Sequence, residues 1–408
     1  MEFIVLENIK KENNIVKYYF SCPVKFKKYL KINECKMVIE YPVDCNINTV
    51  PEGILIVPFV GNILIASSLL NIGIKVPVLD QSFYESLPLI KQSFKRLYPY
   101  LNMNFNVEST KLEDCRYNLS STKSLFFTGG VDATSALISL HKKEPILVNI
   151  VGGDVNTNDV ETHNQLDLYL QNIHRSFNLE YAFIKANCRE MYDEFKITKF
   201  LATKILPWKN HGWWASIAHI LSMTTLLAPW AYDKKIGEHY IGSSYAVSSN
   251  VFDSNNDVIL EAIKFGSCNL IGVDNDLSRI DKLKNIITFS KEHSFPVELK
   301  VCWYRHAGEN CSHCEKCYRT IMEIIVNKGD PNNFGFKVDK NTYLEIENFL
   351  KTNYVNSDFW KQILIGFKKE ENYWRSIPEL SWILDLRINT LALYIKKIFS
   401  TINRFMKK

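Results

Sequence analysis

Apolar and polar positions follow two different rhythms along the chain. In the first 118 residues, YYFSCPVKF (18–26) and KMVIEYPVD (36–44) read as short β-like pieces, while QSFYESLPLIKQSFKRLYPYL (81–101) reads as helix. Between them lies GILIVPFVGNILIASSLLNIGI (53–74), which carries no charge and is long enough to cross a bilayer. Pro58, Gly61, Asn62, Ser67, Ser68 and Asn71 interrupt it, and no cluster of basic residues stands on either flank. The segment is therefore expected to split into a strand-like ILIVPFV and a short helix-like NILIASSLL, both in a buried core.

From about residue 119 the rhythm becomes strand, helix, strand. SLFF (124–127), a helix over 131–142, PILVNIV (145–151), a helix over 158–176, YAFIK (181–185), a helical region over 210–230 and HYIGSS (239–244) follow one another. Such alternation predicts parallel strands joined by right-handed crossovers, an α/β, Rossmann-like, doubly wound sheet. Ligands of these sheets bind at the carboxyl ends of the strands. The residues falling there are the Gly129-Gly130 turn, then Gly152, Gly153 and Asp154, then Asn187, then Ser243 and Ser244. The expected layout has a small α+β domain at 1–118, a nucleotide-type domain with a metal site at 119–330, and a helical extension at 331–408.

The extension ends in a stripe. Leu384, Ile388, Leu391, Ile395, Ile398, Ile402 and Phe405 recur at steps of four and three, and after Asp385 there are six basic residues and no acid. Such a helix suits docking on its own body, a partner helix or an anionic membrane surface.

Composition narrows the class. Of the 408 residues, 46% are hydrophobic and 13% aromatic, enough for folded cores, and the length suits two or three domains. A net charge of +5, from 49 basic and 44 acidic residues, gives no clear nucleic-acid signal. The opening MEFIVLENIKKENN lacks a sustained apolar run, so a cytoplasmic protein is expected, peripheral to the membrane if the last helix binds lipid. A homo-oligomer is compatible with all of this.

Two stretches carry chemistry. In LFFTGGVDATS (125–135), paired glycines between a strand end and a helix permit positive φ and close approach of a ligand to the backbone, and the first amides of the helix point outward as an anion site. In VCWYRHAGENCSHCEKCYRT (301–320), Cys302, Cys311, Cys314 and Cys317 have a spacing that can close around one tetrahedral ion. Gly308 and Asn310 are read as making the intervening loop pliable, Arg305, Lys316 and Arg319 as offsetting thiolate charge, and His306 and His313 as substitute ligands. Zinc is expected ahead of an iron–sulfur cluster, and with four thiolates it would be structural. The other six cysteines read as scattered, small, buried residues.

The glycine turn resembles the SGGxDS loop of the PP-loop ATP pyrophosphatases. Thr128 stands at the first serine, Gly129, Gly130 and Asp132 match, Val131 fills the variable place, Ala133 replaces the second serine, and Thr134 offers another hydroxyl. The C-x8-C-x2-C-x2-C array behind such a domain is similar to that of the 7-cyano-7-deazaguanine synthase family. LPWKNHGWWASIAHILS (206–222) resembles that family's P-x-R-N segment through Pro207 and Asn210, with Lys209 for arginine. LSRIDKLKNI (277–286) resembles its T-K-x-E segment through Ser278, Arg279 and Asp281. The resemblance spans about residues 119–330.

What it implies is an ATP-dependent carbon–nitrogen ligase. ATP with Mg²⁺ would adenylate a substrate carboxylate, pyrophosphate would leave, and ammonia or an amine would attack. Asp132 is the candidate for magnesium or loop organisation, with Lys209 and Arg279 as charge clamps. Residues 128–134 and Asn210 would hold the nucleotide. The segments on either side of the resemblance suit a macromolecular or carrier-bound carboxylate. Two other readings follow from the same residues: sulfur transfer, for which Cys188 is the well-placed spare thiol, and a non-catalytic nucleotide-binding or assembly protein, for which Ala133 is the suspicious change.

Overall fold

The computed structural model describes residues 1–31, 34–204, 212–244, 256–293, 297–302, 304, 308–355 and 357–387. Lys209, Asn210 and Pro207, Arg305 and His306, and the terminal stripe from Ile388 onward lie outside the described residues. The chain divides into two compact units, one of residues 1–128 and 136–276, the other of residues 129–135 and 277–408. These divisions fall elsewhere than the three-segment layout expected from the sequence.

The first unit is α/β, built on one eleven-stranded sheet. In chain order the strands are β1 (Phe3–Glu12), β2 (Ile15–Ser21), β3 (Lys36–Glu40), β4 (Gly73–Asp80), β5 (Val107–Glu113), β6 (Lys123–Phe126), β7 (Ile146–Val151), β8 (Tyr181–Ala186), β9 (Glu238–Gly242), β10 (Lys264–Phe265) and β11 (Cys268–Val273). Their spatial order is β10-β11-β9-β6-β7-β8-β3-β2-β1-β4-β5. Strands β11, β9, β6, β7 and β8 run parallel, and β7 is buried along nearly its whole length, as the strands of parallel sheets tend to be.

The antiparallel pairing of β3 with β8 joins the expected N-terminal domain to the expected nucleotide domain in one sheet. Asn187 accounts for part of this junction. Its Oδ1 accepts from the Val38 amide at 2.8 Å and its Nδ2 donates to the Lys36 carbonyl at 3.3 Å. A residue read as a strand-end ligand candidate is thus engaged in sheet pairing.

The uncharged segment is one helix, α1 (Glu52–Leu69), so the expected strand ILIVPFV is absent. By length and composition alone α1 could cross a membrane, yet 89% of its apolar window is buried inside the protein. The supposed breakers have packing roles. Asn62 donates to the Pro58 carbonyl at 2.8 Å, and at Gly61 a Cβ would overlap the Thr225 side chain, so glycine is what lets another segment approach this closely. Helix α2 (Gln81–Leu97) forms as expected, with Asp80 as its N-cap. An apolar core of this first unit runs through Ile4, Phe59, Trp230 and Leu270.

Between β6 and β7 lies α3 (Val131–Leu140), and between β7 and β8 lies α4 (Val160–Phe177). The second unit contains α5 (Arg279–Glu292), α6 (Glu315–Val326), α7 (Lys340–Thr352) and α8 (Ser357–Lys369). Ser278 and Asp281 close a capping box at the start of α5, which gives the segment likened to T-K-x-E a local structural duty. Tyr318 on α6 meets Phe349 on α7 with ring centroids 5.3 Å apart, and Gly366 of α8 lies against Val326 of α6.

Candidate functional site

Strand β6 has β7 on one side and β9 on the other, so the strand order reverses at it, the position where open α/β sheets form a crevice beyond the strand ends. The Phe127 amide donates to Val148 at 2.9 Å, and Asn149 Nδ2 donates to the Phe127 carbonyl at 2.8 Å. Immediately beyond, Gly129 has φ 73°, a conformation that disfavours side chains, and α3 begins two residues later. The strand, glycine turn and helix expected from LFFTGGVDATS are therefore present.

Within the second unit the turn is held by named contacts. The Lys300 amide donates to the Gly129 carbonyl at 2.8 Å, and the Thr134 amide donates to the Gly130 carbonyl at 2.9 Å, which starts the helix. Val131 and Ala133 are buried. Thr134, the expected substitute for the missing serine hydroxyl, is 2% exposed, and its Oγ1 meets no hydrogen-bond partner among the described residues.

A charge network backs the loop. Asp132 Oδ1 accepts from Lys282 Nζ at 2.8 Å, and its Oδ2 lies 3.9 Å from Arg279 Nη1. Arg279 in turn donates through Nε to Glu323 Oε2 at 2.9 Å and through Nη2 to Thr320 Oγ1 at 3.1 Å. Burial pushes the Glu323 carboxyl above its usual range, against the pull of Arg279 and Arg319. The structure thus brings Asp132 and Arg279 together, and adds Lys282 and Glu323, which the sequence reading missed. One signal was available: Lys282 follows Arg279 by three residues, so both sit on one face of α5.

The other strand ends are occupied by protein contacts. Gly152 has φ 102°, and a Cβ there would overlap the Ala186 carbonyl oxygen. Asp154 pairs with Arg189 at 3.4 Å, and Arg189 stacks 5.3 Å from the Trp214 ring centroid. The Ser243 hydroxyl bonds to Asp257, which is itself held by Asn275 Nδ2 at 3.0 Å. Cys188 is fully buried, and burial pushes its thiol up to about 12, which disfavours the thiolate that sulfur transfer requires.

The four expected cysteines converge. Their sulfurs all lie within 4.8 Å of one another, with Cys302 and Cys314 at 3.9 Å and Cys311 and Cys317 at 3.9 Å. Tetrahedral zinc with Zn–S bonds of about 2.3 Å needs sulfurs about 3.8 Å apart, so the donor set fits. Backbone amides support the sulfurs as metal-bound thiolates require: Tyr304 to Cys302 at 3.3 Å, His313 to Cys311 at 3.4 Å, and Cys317 to Cys314 at 3.5 Å. Cys314 is also the N-cap of α6, so the array is built onto a helix start.

Two expectations around the array change. Asn310 does not loosen its loop. It is 5% exposed, accepts from the amides of Val301 and Cys302, and donates to the carbonyls of Leu299 and Gly335, so it braces the segment carrying the first ligand. His313 bonds through Nδ1 to Glu345 at 3.0 Å and is outside the sulfur cluster. Arg319 lies 4.2 Å from the Phe359 ring centroid. Of the remaining cysteines, Cys45, Cys115, Cys188 and Cys268 are buried as expected, but Cys22 and Cys35 are half-buried neighbours with sulfurs 3.5 Å apart. Compared with known proteins, the chain matches no family model, no curated protein and no solved structure.

Proposed function

We propose that the protein is an ATP-dependent carbon–nitrogen ligase of the PP-loop ATP pyrophosphatase type, which adenylates a carboxylate and passes it to ammonia or an amine. The observation that carries this reading is the turn at Gly129, set between β6 and α3 at the strand where the sheet order reverses. Amides at the start of a helix are aimed at anions, and glycine lets the backbone reach them closely. Their ligand in this reading is the triphosphate of ATP with Mg²⁺.

The chemistry asked of the chain is modest. A carboxylate resists nucleophiles because it is negatively charged; joined to AMP it gains a good leaving group. The loop must stabilise the departing pyrophosphate, which fixed amide dipoles and nearby cations achieve without reorganisation. Arg279 beside the loop supports that role. Zinc, when bound by Cys302, Cys311, Cys314 and Cys317, would brace the fold and take no part in the reaction.

Burial of Cys188 favours nitrogen over sulfur as the incoming atom. The test is pyrophosphate exchange. The metal-loaded protein with Mg²⁺, ATP and labelled pyrophosphate should form labelled ATP when supplied with an extract containing its carboxylate, and mass spectrometry should find AMP and a new amide or nitrile. ATP binding without exchange across such extracts would support the nucleotide-binding reading instead.

A further inference from the structure

We infer that Lys282 is the residue that positions the glycine loop, acting through Asp132, and that Asp132 organises the loop instead of ligating magnesium. This rests on the reading that the loop holds ATP.

The two carboxylate oxygens of Asp132 face cations. Lys282 Nζ lies 2.8 Å from Oδ1 and Arg279 Nη1 lies 3.9 Å from Oδ2. Lys282 is 1% exposed, so its ammonium cannot swing out to follow a ligand. It sits in a place where a lysine is rare unless its charge is met. Asp132 retains 26% side-chain exposure and lies in the first turn of α3. A bare carboxylate there would draw on the same helix-end amides that the triphosphate uses and would repel the triphosphate itself. Pairing with Lys282 removes that repulsion, and it also ties the loop to α5 within the second unit.

A magnesium ligand has different needs. A hard cation seeks carboxylate oxygens with full charge and access to water, and Mg²⁺ in nucleotide sites keeps several waters. Oδ1 is already held at hydrogen-bond distance by a buried ammonium, and Oδ2 lies 3.9 Å from the Arg279 guanidinium, so a Mg²⁺ drawn to either oxygen meets a positive charge already placed there. Arg279 is also spoken for, since Glu323 and Thr320 hold its Nε and Nη2, so its approach to Asp132 is fixed from behind. The network sets the carboxylate in one orientation before any ligand arrives.

The two roles predict opposite effects of one substitution. If Asp132 were a metal ligand, Lys282→Met would free it and lower the Mg²⁺ concentration needed for half-maximal ATP binding. If Asp132 is an organiser, Lys282→Met loosens the loop: MgATP affinity falls about tenfold, and the Mg²⁺ dependence is unchanged. Lys282→Arg, which keeps a donor facing Asp132, recovers much of the loss. Asp132→Asn weakens MgATP binding to a similar extent, and combining it with Lys282→Met adds little, because both changes break one tether.

The experiment is titration of MgATP and of Mg²⁺ at fixed ATP into the metal-loaded full chain and these variants, each checked for cooperative melting and full zinc content. Should Lys282→Met fail that check, Lys282→Arg and Asp132→Asn carry the test through the Mg²⁺ dependence of the latter. A raised Mg²⁺ requirement in Asp132→Asn, or unchanged affinity in Lys282→Met, overturns the inference alone. Absence of MgATP binding by the unaltered protein overturns the functional reading and this inference with it.

Discussion

His239 offers a quantitative test of the sheet's interior. It lies on β9, 1% exposed, with Nδ1 2.7 Å from the Ser124 hydroxyl, its ring 4.3 Å from that of Phe126, and Nε2 without a hydrogen-bond partner among the described residues. Burial lowers its pKa from 6.5 to about 3. The sign follows from proton uptake. Below about pH 6.5 the unfolded chain binds a proton at His239, whereas the folded chain does not until about pH 3, so the contribution present at neutral pH is lost as pH falls through that window. Each unit is worth about 1.4 kcal/mol, and acidification from about pH 7 to about pH 4.5 should therefore remove about 3 kcal/mol through this residue.

The assay is urea unfolding of the unaltered protein and of His239→Gln at both pH values. Glutamine never takes up the proton, so the variant, less stable at neutral pH, should lose about 3 kcal/mol less on acidification. Carboxylates elsewhere titrate in both proteins and cancel in the difference. Equal losses in the two proteins would refute the claim that His239 is buried and neutral.

Three further outcomes are expected. Zinc binding to the metal-free protein should release about four protons at neutral pH, because thiols are protonated there and ligate as thiolates, and calorimetry in buffers of different ionisation enthalpy counts them; release of one or none would rule out a four-thiolate site. Gly152→Ala should destabilise the protein by at least about 1–3 kcal/mol, read as a lower urea midpoint, since it places a side chain at φ 102° against the Ala186 carbonyl, and an unchanged midpoint would contradict that geometry. Arg279→Met should cost about 3 kcal/mol by stripping the 3%-exposed Glu323 carboxylate of its Nε donor, with Glu323→Gln recovering part in the double variant; additive losses would show the pair to be uncoupled.

Much of the parallel sheet could be read in advance because its signals are local. LFFTGGVDATS states a strand, a glycine turn and a helix within eleven residues, and β7, β8 and β9 follow from compact apolar runs. The cysteine array was equally legible, since four ligands within sixteen residues leave little choice of partner. What failed was non-local. Gly61 read as a breaker because its compensation, the approach of Thr225, comes from more than 160 residues away.

The β3–β8 pairing that fuses the N-terminal strands to the parallel sheet has no local mark either, and neither does the role of Asn187 in stitching it. Lys282 was hidden for another reason. Lysine is ordinarily a surface residue, and the carboxylate that meets the charge of this buried one, Asp132, stands 150 residues earlier. Asn310 was misread because its composition suggests a turn, whereas four hydrogen bonds make it a brace.

The proposed adenylation depends on triphosphate recognition by the amides around Gly129, and calorimetric titration of MgATP into the metal-loaded full-length protein tests that recognition most directly. Saturable one-to-one binding, weakened by Gly129→Ala while zinc content and melting are retained, is the predicted result. No detectable heat of binding, or binding indifferent to that substitution, would contradict it.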